Sequence, residues 1–555
     1  MTSILINTSV TSISGIAGLA SNDAITITQS GSVFDPAAGY NTGAPTALNV
    51  TVAGYLQVTS FQIGGSYGSF RVTETGSVIT SSGILTESNA DIFVAGSILS
   101  ESYGITTLGQ SYIEVTGTVR GGYSAVVMNG SGGSSDVLVN HGLVSGRDSS
   151  GVYSMGGTIS IRNNGTIQGL STVDGSNPAA ILLSGSAEIV NTGTISSGYV
   201  GIRLGADTSY FTLNNTGLIE AESYGIRGDI GTTAISHTIN NAGSIIAPWA
   251  FSGFGEVTYL TNSGLIQGNI GMGGGGDQLD TSHGTILGQI FLGDGADTFR
   301  AFGAKVTGDV MGGLGKDSYY IDSDISIVED ATPGEVDTVY ARCSHDLADN
   351  VEVLRLLGTG AFDGRGNALA NEITGNSGAN RLLGQAGNDT INGGLGDDLI
   401  QGGAATDNLS GNDGDDTVQG GIGTDTLRGD DGDDVLIGGA GKDYMVGGAQ
   451  SDRFVFQVLN HSAIAQADAD TIADFTQGED LIDLSAIDAN CPNALANDAF
   501  SFIGTMAFSN VAGQLRYLQS GGNTFLQLDV NGDSLADATI RLNGLITLNA
   551  GDLVL

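Results

Sequence analysis

The chain has 555 residues, with 18 basic and 59 acidic side chains and a formal net charge of −41. So acidic a chain excludes charge-driven binding to nucleic acid or to an anionic membrane, and its natural counterparts are cations. No apolar run reaches the eighteen or more residues of a membrane helix, so no membrane insertion is expected. Two cysteines, Cys343 and Cys491, exclude a disulfide framework.

The first predicted elements are a short N-terminal cap at residues 1–24 and a repeat region at 25–270. The cap lacks the basic segment of a cleaved secretory signal, so any export is expected by a leaderless route. The repeat is a small-x-Gly-x-(Ile/Val/Leu) motif with a period of 20–28 residues, and its glycines are Gly76, Gly96, Gly117, Gly142, Gly165, Gly193, Gly217, Gly243 and Gly264. This period predicts a parallel β-helix with about three short strands per coil.

Two rows of polar and aromatic residues accompany this repeat. Asparagine stands two residues before the glycine in six successive coils, at Asn140, Asn163, Asn191, Asn215, Asn241 and Asn262. We expect their amides to form an internal hydrogen-bonded ladder. An aromatic residue follows the glycine in five coils, at Tyr103, Tyr123, Tyr199, Tyr224 and Trp249. Stacking of the coils alone explains this aromatic row, and the alternative is a solvent-facing row that holds sugar rings.

Steps such as NNGTI, NTGTI, NTGLI, NAGSI and NSGLI resemble those of the β-helical passenger domains of autotransporters and related adhesins. The resemblance covers roughly residues 25–270 and implies a surface or adhesive role.

A sparser repeat follows at residues 271–320, where Asp277, Asp297 and Asp317 recur every twenty residues. One aspartate per coil predicts coils that bind calcium along one side only. A connecting β segment is expected at 321–366.

Ten consecutive nine-residue blocks then run from Asn367 to Phe456, each with an apolar residue two positions after its fifth residue. That fifth residue is aspartate in the last eight blocks, at Asp389, Asp398, Asp407, Asp416, Asp425, Asp434, Asp443 and Asp452. With two blocks per coil, residue i lies over residue i+18, and the aspartates stack in two columns. We predict a parallel β-roll over residues 367–456.

The stacked aspartates indicate the ligand. Between Asp389 and Asp452 there are fourteen aspartates and two basic residues, a net charge of −12. Neighbouring carboxylates repel one another unless a cation lies between them, and an all-oxygen site of flexible geometry favours several calcium ions over magnesium or zinc. Glycines two residues before the aspartates are candidate carbonyl ligands, at Gly387, Gly396, Gly414, Gly423, Gly432 and Gly441. Ala405 and Gln450 replace this glycine in two blocks, so weaker sites are expected there.

The block GGxGxDxUx resembles the RTX (haemolysin-type) calcium-binding repeat. The flanking segments, from GGLGKDSYYID through DTIADFTQGEDLIDLSAIDAN and GQLRYLQSGGNTFLQLDVNGD to DLVL, resemble the C-terminal half of serralysin-type (peptidase M10) metalloproteases. The resemblance implies a β-sandwich-like secretion domain at 457–555, a type I exporter as partner, and an extracellular or cell-surface location.

This resemblance does not extend to the protease active site. The zinc motif HExxHxxGxxH is absent, since no two of the five histidines lie four residues apart. We therefore expect a non-enzymatic structural or adhesion protein. The alternative is a protein that binds or modifies a polysaccharide, for which Arg203 and Arg227, near Asp207 and Asp229, are the best candidates for catalytic residues.

One further acidic loop has the spacing of a calcium loop, with Asp529, Asn531, Asp533 and Asp537 at positions 1, 3, 5 and 9. The glutamate expected at position twelve is missing, because Ile540 stands there. A tight hairpin turn explains the same residues equally well.

Overall fold

The computed structural model describes four strands in the first 48 residues and then residues 49–555 except 64–67, 87–88, 131–134, 171–176, 230–235, 254, 256 and 490–497. Most of the predicted cap and Cys491 lie outside the described residues. The chain divides into two compact units, Met1–Gly315 and Lys316–Leu555. No helix in the described part of the chain combines the length and hydropathy of a membrane span. The predicted domain boundaries at 24, 270, 320, 366 and 456 stay predictions.

Unit 1 is a parallel β-helix with three faces, and each strand pairs in parallel with the strand one coil later. Face 1 contains Ser3–Ile6, Ala24–Ile27, Asn49–Val52, Ser69–Val72, Asp91–Val94, Tyr112–Val115, Ser135–Asn140, the second halves of Val152–Asn163 and Ala179–Asn191, Tyr210–Asn215, Ser236–Asn241, Val257–Asn262, Gln278–Asp280 and Thr298–Arg300.

Faces 2 and 3 follow face 1 within each coil. Face 2 contains Ser9–Val10, Ser32–Asn41, Tyr55–Ile63, Ser77–Thr80, Ser97–Ser100, Thr118–Gly121, Leu143–Gly146, Thr166–Gly169, Thr194–Ser197, Leu218–Ala221, Ser244–Ser252, Leu265–Gly274, Thr285–Leu287 and Lys305–Val306. Four of these long strands continue into face 3, namely Ser32–Asn41, Tyr55–Ile63, Ser244–Ser252 and Leu265–Gly274. Face 3 also contains Ile84–Thr86, Ile105–Thr107, Val126–Met128, the first halves of Val152–Asn163 and Ala179–Asn191, Val200–Leu204, Tyr224–Gly228, Ile290–Asp294 and Val310–Leu314.

The core of unit 1 consists of stacked aliphatic side chains, because alternate strand residues point inward. On face 1 the inward column is at most 1% exposed and runs through Ile92, Ile113, Leu138, Ile161, Ile189, Leu213, Ile239 and Leu260. Burying each such side chain contributes roughly 1.5–3 kcal/mol. The predicted motif glycines stack in the turn between faces 1 and 2, where a Cβ on Gly117 would overlap the carbonyl oxygen of Gly96.

Unit 2 contains a parallel β-roll with two sheets. The first sheet contains Ser318–Ile321, Thr338–Ala341, Val353–Leu356, Glu372–Thr374, Thr390–Leu395, Asn408–Asp413, Thr426–Asp431, Tyr444–Ala449 and Thr471–Ile472. The second contains His345–Asp346, Asp363–Arg365, Arg381–Ala386, Leu399–Ala404, Thr417–Gly423, Val435–Gly441, Arg453–Val455 and Leu481–Asp483. Asn408 lies opposite both Thr390 and Thr426, which confirms the eighteen-residue coil.

The C-terminal part adds a small antiparallel sheet of Gln514–Ser520, Asn523–Asp529 and Ala538–Asn543. Ala538–Asn543 also pairs with Thr471–Ile472, and Leu553–Val554 pairs with Leu481–Asp483, so both sheets of the roll continue into this part. The remaining elements of unit 2 are the short strands Ile327–Val328 and Ser501–Phe502 and the 3-10 turns Leu459–His461 and Ala550–Asp552. The all-β prediction, with a β-helix, a β-roll and a sandwich-like C-terminal part, is confirmed as a fold class.

Candidate metal centre

The eight aspartates of the nonapeptide blocks lie at the ends of the turns that lead into the strands of the roll. They form two columns at eighteen-residue steps, with Asp389, Asp407, Asp425 and Asp443 in one and Asp398, Asp416, Asp434 and Asp452 in the other. All eight are buried, with 1–3% of their surface exposed. Carboxylates this deeply buried require compensating partners.

One oxygen of each carboxylate has such a partner. Oδ1 of Asp407 accepts a hydrogen bond from the backbone N–H of Asp389 at 2.8 Å, and the same bond recurs through both columns at 2.7–3.1 Å. Oδ2 has no hydrogen-bond partner among the described residues in any of the eight. It lies against the glycine that closes the preceding block, since a Cβ on Gly384 would overlap the Asp389 carboxylate.

The environment disfavours the charged form of these groups. Burial raises the pKa of Asp416 to about 7, opposed by the N–H of Asp398 and assisted by the charges of Asp398 and Asp434. Burial likewise raises the pKa of Asp389, Asp443 and Asp452 to about 7 and that of Asp398, Asp407 and Asp434 to about 6. A cation placed between the carboxylates would reverse this effect. The unpartnered oxygens, with no nitrogen or sulfur donor among the described residues of the two columns, fit a hard divalent ion such as calcium.

The glycines two residues before the aspartates adopt backbone conformations that suit glycine. Gly414, Gly423, Gly432 and Gly441 have φ of 140–154°, and Gly387 and Gly396 have φ near 100°. Ala405 and Gln450 occupy the same position with φ of 88° and 82°. A side chain in the left-handed region costs about 1–2 kcal/mol, so these two turns are strained relative to the others. The role of these glycines as carbonyl ligands stays a prediction.

The sparse aspartates repeat the same bonding. In unit 1, Asp277 Oδ1 accepts from the N–H of Thr258 and Asp297 Oδ1 from the N–H of Asp277, both at 2.6 Å. Burial raises the pKa of Asp297 to about 6. In unit 2, the N–H of Asp317 donates to Asp337 Oδ1 at 2.8 Å.

Asp317 also belongs to a cluster that the sequence did not indicate. Carboxylate oxygens of Asp317, Glu329 and Asp337 lie within 4.8 Å of one another, and all three residues are buried. Glu329 reaches the cluster from a loop and accepts a hydrogen bond from the Tyr319 hydroxyl. Glu352 accepts from the N–H of Asp337 at 3.0 Å. Asp317, Glu329 and Asp337 could hold one divalent ion at the first coils of unit 2.

The two columns also extend beyond the nonapeptide blocks. Asp470 accepts a hydrogen bond from the N–H of Asp443 at 2.9 Å, and Asp480 accepts from the N–H of Asp452 at 3.0 Å. Burial raises the pKa of Asp470 to about 8, and its Oδ2 has no partner among the described residues. The signal was present in the sequence, because Asp470-Thr-Ile472 and Asp480-Leu-Ile482 copy the Asp-x-apolar step of the blocks.

Residues 371–555, which hold both columns, match the family model Peptidase M10 serralysin C terminal. This region is serralysin-type. The match confirms the RTX and serralysin-type prediction for these residues and supports a calcium-binding β-roll of a secreted protein. A type I secretion route agrees with this domain type.

The AlgE6R3 subunit from the Azotobacter vinelandii mannuronan C5-epimerase, known from a solution structure, has 26% sequence identity to this chain. The match covers 27% of this chain and 78% of the subunit, with a TM-score of 0.21. No curated protein matches the chain.

The acidic loop of the serralysin-type region is an elaborate hairpin turn. Asp529 accepts from the N–H groups of Gly532 and Ser534, and Asp537 accepts from the N–H of Val530 and from the Asn531 side chain, at 2.7–3.0 Å. Asn531 and Asp533 each accept from the N–H two residues later. The side chains thus stabilise the turn between Asn523–Asp529 and Ala538–Asn543. Calcium binding here stays a prediction.

The remaining candidates lie on the outer surface of unit 1. Arg203 forms an ion pair with Asp229 at 2.9 Å, and the Arg227 guanidinium lies 4.8 Å from the Tyr224 ring centroid. Asp207 is exposed. The aromatic row faces outward, and its members pair along the axis with ring centroids 6.0 Å apart for Tyr103–Tyr123 and Tyr199–Tyr224. Tyr103 and Tyr123 are 42% and 54% exposed, whereas Tyr199, Tyr224 and Trp249 are half-buried.

Proposed function

We propose that this chain is a secreted RTX protein whose β-roll folds on binding several calcium ions after type I export, and that it has a non-enzymatic structural or adhesion role outside the cell or at its surface. The observation that carries the proposal is the unpartnered second oxygen of eight buried aspartates. Calcium when bound would neutralise these oxygens and join neighbouring coils.

The chain's own residues explain why folding would follow export. With little calcium, as in the cytoplasm, the −12 segment repels itself and its buried positions disfavour charge, so the roll stays open and suits passage through a narrow exporter. Where calcium is plentiful, its binding free energy becomes folding free energy. Coils then add to folded neighbours, as in other solenoids.

Isothermal titration of the chelator-treated chain with calcium tests the proposal. We expect heat from several ions and, in Asp416→Asn, fewer ions or an affinity at least about tenfold lower. Asp415→Asn is the matched control, since it removes the same charge from an exposed neighbour and leaves the column intact. Absence of heat, or equal losses in both variants, would overturn the proposal.

A second candidate function is polysaccharide binding or modification by unit 1. The outward position of the aromatic row favours it, because exposed paired tyrosines are typical of surfaces that recognise partners. Retention on, and cleavage of, a panel of immobilised acidic and neutral polysaccharides tests it. Retention without cleavage would select a binding protein, and cleavage an enzyme. If the chain is neither retained nor cleaves any polysaccharide, the structural role remains the proposed function.

A further inference from the structure

Two depressions of similar size lie on the outer surface of unit 1, and their charges are opposite. The Arg120–Arg147 depression has a volume of about 340 Å³, and both of these arginines line it. The Arg71 depression has a volume of about 360 Å³ and is lined by Arg71, Glu74 and Glu114. The lining of the first therefore carries two positive charges, one of them paired with Asp148, and the lining of the second carries a net negative charge.

Glycines create the floor of the Arg120–Arg147 depression. Gly122 occupies the position that Arg147 holds one coil later, because the N–H of Arg147 bonds to the carbonyl of Gly121. A Cβ on Gly122 would overlap the backbone carbonyl of Glu101, and one on Gly121 would overlap the carbonyl of Ser124. Neither position tolerates a side chain, so the space between the arginines stays open.

The arginines of this depression are available to a ligand. The Arg120 side chain makes no hydrogen bond, ion pair or ring contact with any described residue, whereas the Arg71 guanidinium lies 4.5 Å from the Phe93 ring centroid. Arg147 pairs with Asp148 at 3.2 Å, and its side chain is 61% exposed. No carboxylate is among the described residues that line the depression. In a chain with a net charge of −41 this is a local site for an anion.

The rest of the lining suits a sugar. The Ser145 hydroxyl accepts from the Gln168 amide at 3.0 Å, which places polar groups on one wall. Leu99 and Leu170 are 36% and 44% exposed and line other parts of the depression. Pockets of this volume accept small ligands, and guanidinium groups pair bidentately with planar or tetrahedral oxyanions.

We propose that the Arg120–Arg147 depression binds an oxyanion-bearing sugar unit, carboxylated or sulfated, of an acidic polysaccharide. The proposal rests on the second candidate function, for which it names a site and a ligand class, and it does not depend on calcium binding by the roll. Arg120 and Arg147 bind the oxyanion, and Leu99 and Leu170 contact the sugar ring.

Titration calorimetry of the full calcium-loaded chain tests this site with four probes: an oligogalacturonate, a sulfated oligogalactan, a neutral oligogalactan and inorganic sulfate. We expect one acidic oligosaccharide to bind at least tenfold more tightly than the neutral one, with weaker binding at high salt. The carboxylated and sulfated probes distinguish the two oxyanions. Arg120→Ala with Arg147→Ala should lose at least tenfold in affinity, and Arg120→Lys should lose less.

The control is Arg71→Ala, which removes one positive charge from the other depression and should change affinity less than twofold. Acidic and neutral probes of equal affinity, or an Arg120→Ala, Arg147→Ala variant that binds like the wild type, would overturn the site. If the oligosaccharide probes still bind in that case, polysaccharide binding by unit 1 stands, although this site does not. Binding of inorganic sulfate alone would overturn the sugar assignment. Binding of no probe would overturn both the site and the sugar assignment.

Discussion

The asparagine ladder of unit 1 and the aspartate columns of unit 2 both stack buried polar side chains from coil to coil, the first with amides and the second with carboxylates. Each ladder amide donates from Nδ2 to Oδ1 of the next asparagine at 2.7–2.8 Å and to a backbone carbonyl at 3.0–3.3 Å. Thr281 ends the row by accepting from Asn262 at 3.1 Å. The predicted ladder is confirmed, and its side chains are at most 2% exposed.

The side chains of the aspartate columns cannot hydrogen-bond to one another in this way. A carboxylate accepts hydrogen bonds but donates none when ionised, so stacking leaves one oxygen of every rung without a partner. The amide and the carboxylate differ by little in shape, yet one makes a self-sufficient ladder and the other makes a ladder that needs an ion. The difference predicts that the ladder coils of unit 1 are stable without metal and that the roll of unit 2 is not.

Removal of calcium should have the largest effect and should separate the two regions. In excess chelator we expect backbone amides of residues 390–449 to lose hydrogen-exchange protection by several orders of magnitude, since the net charge of −12 is then uncompensated. Amides of residues 135–140, 210–215 and 257–262 should keep theirs. Hydrogen exchange with mass spectrometry on the full chain measures both. Equal protection of the two regions in chelator would contradict the comparison.

The substitution Asn191→Asp should give the next largest effect, because it places a carboxylate in the amide ladder. It removes the bonds from Nδ2 to Asn215 and Leu218 and buries a charge, which costs about 3 kcal/mol. Thermal unfolding of the calcium-loaded chain is the measurement. Asn164→Asp is the control, since Asn164 is exposed and keeps its bond from Thr192. Similar losses in the two variants would show that the ladder contributes nothing special.

The smallest expected effect is a pH dependence from Asp136, a buried carboxyl group in unit 1. Burial raises its pKa to about 6, although the Ser111 N–H opposes the shift at 2.9 Å. A raised folded-state pKa means that its contribution is fully present below about pH 4 and is lost as the pH rises to about 6. Relative to Asp136→Asn, the wild type should therefore lose a few degrees of melting temperature over this range. Parallel curves for the two proteins would disprove the shift.

Sequence periodicity predicted the coil length, the glycine turns, the asparagine ladder and the two columns, because each depends on residues at fixed steps. It did not predict the Asp317, Glu329 and Asp337 cluster, since Glu329 arrives through a loop outside the repeat. Asp470 and Asp480 were missed for a related reason. The steps from Asp443 and Asp452 are 27 and 28 residues, which breaks the period of eighteen although the stacking continues.

The near identity of the roll's coils has a consequence for strand pairing. A shift of one whole coil would place every aspartate on another aspartate and every inward aliphatic residue on another, so the middle of the array barely resists slippage. Only its ends are distinctive. Asn371 and Asn380 donate to backbone carbonyls that a carboxylate could not satisfy, and Asp470 and Asp480 sit on inserted segments of different length. These four residues therefore set the register of strand pairing in an array whose middle coils would pair equally well in a shifted register.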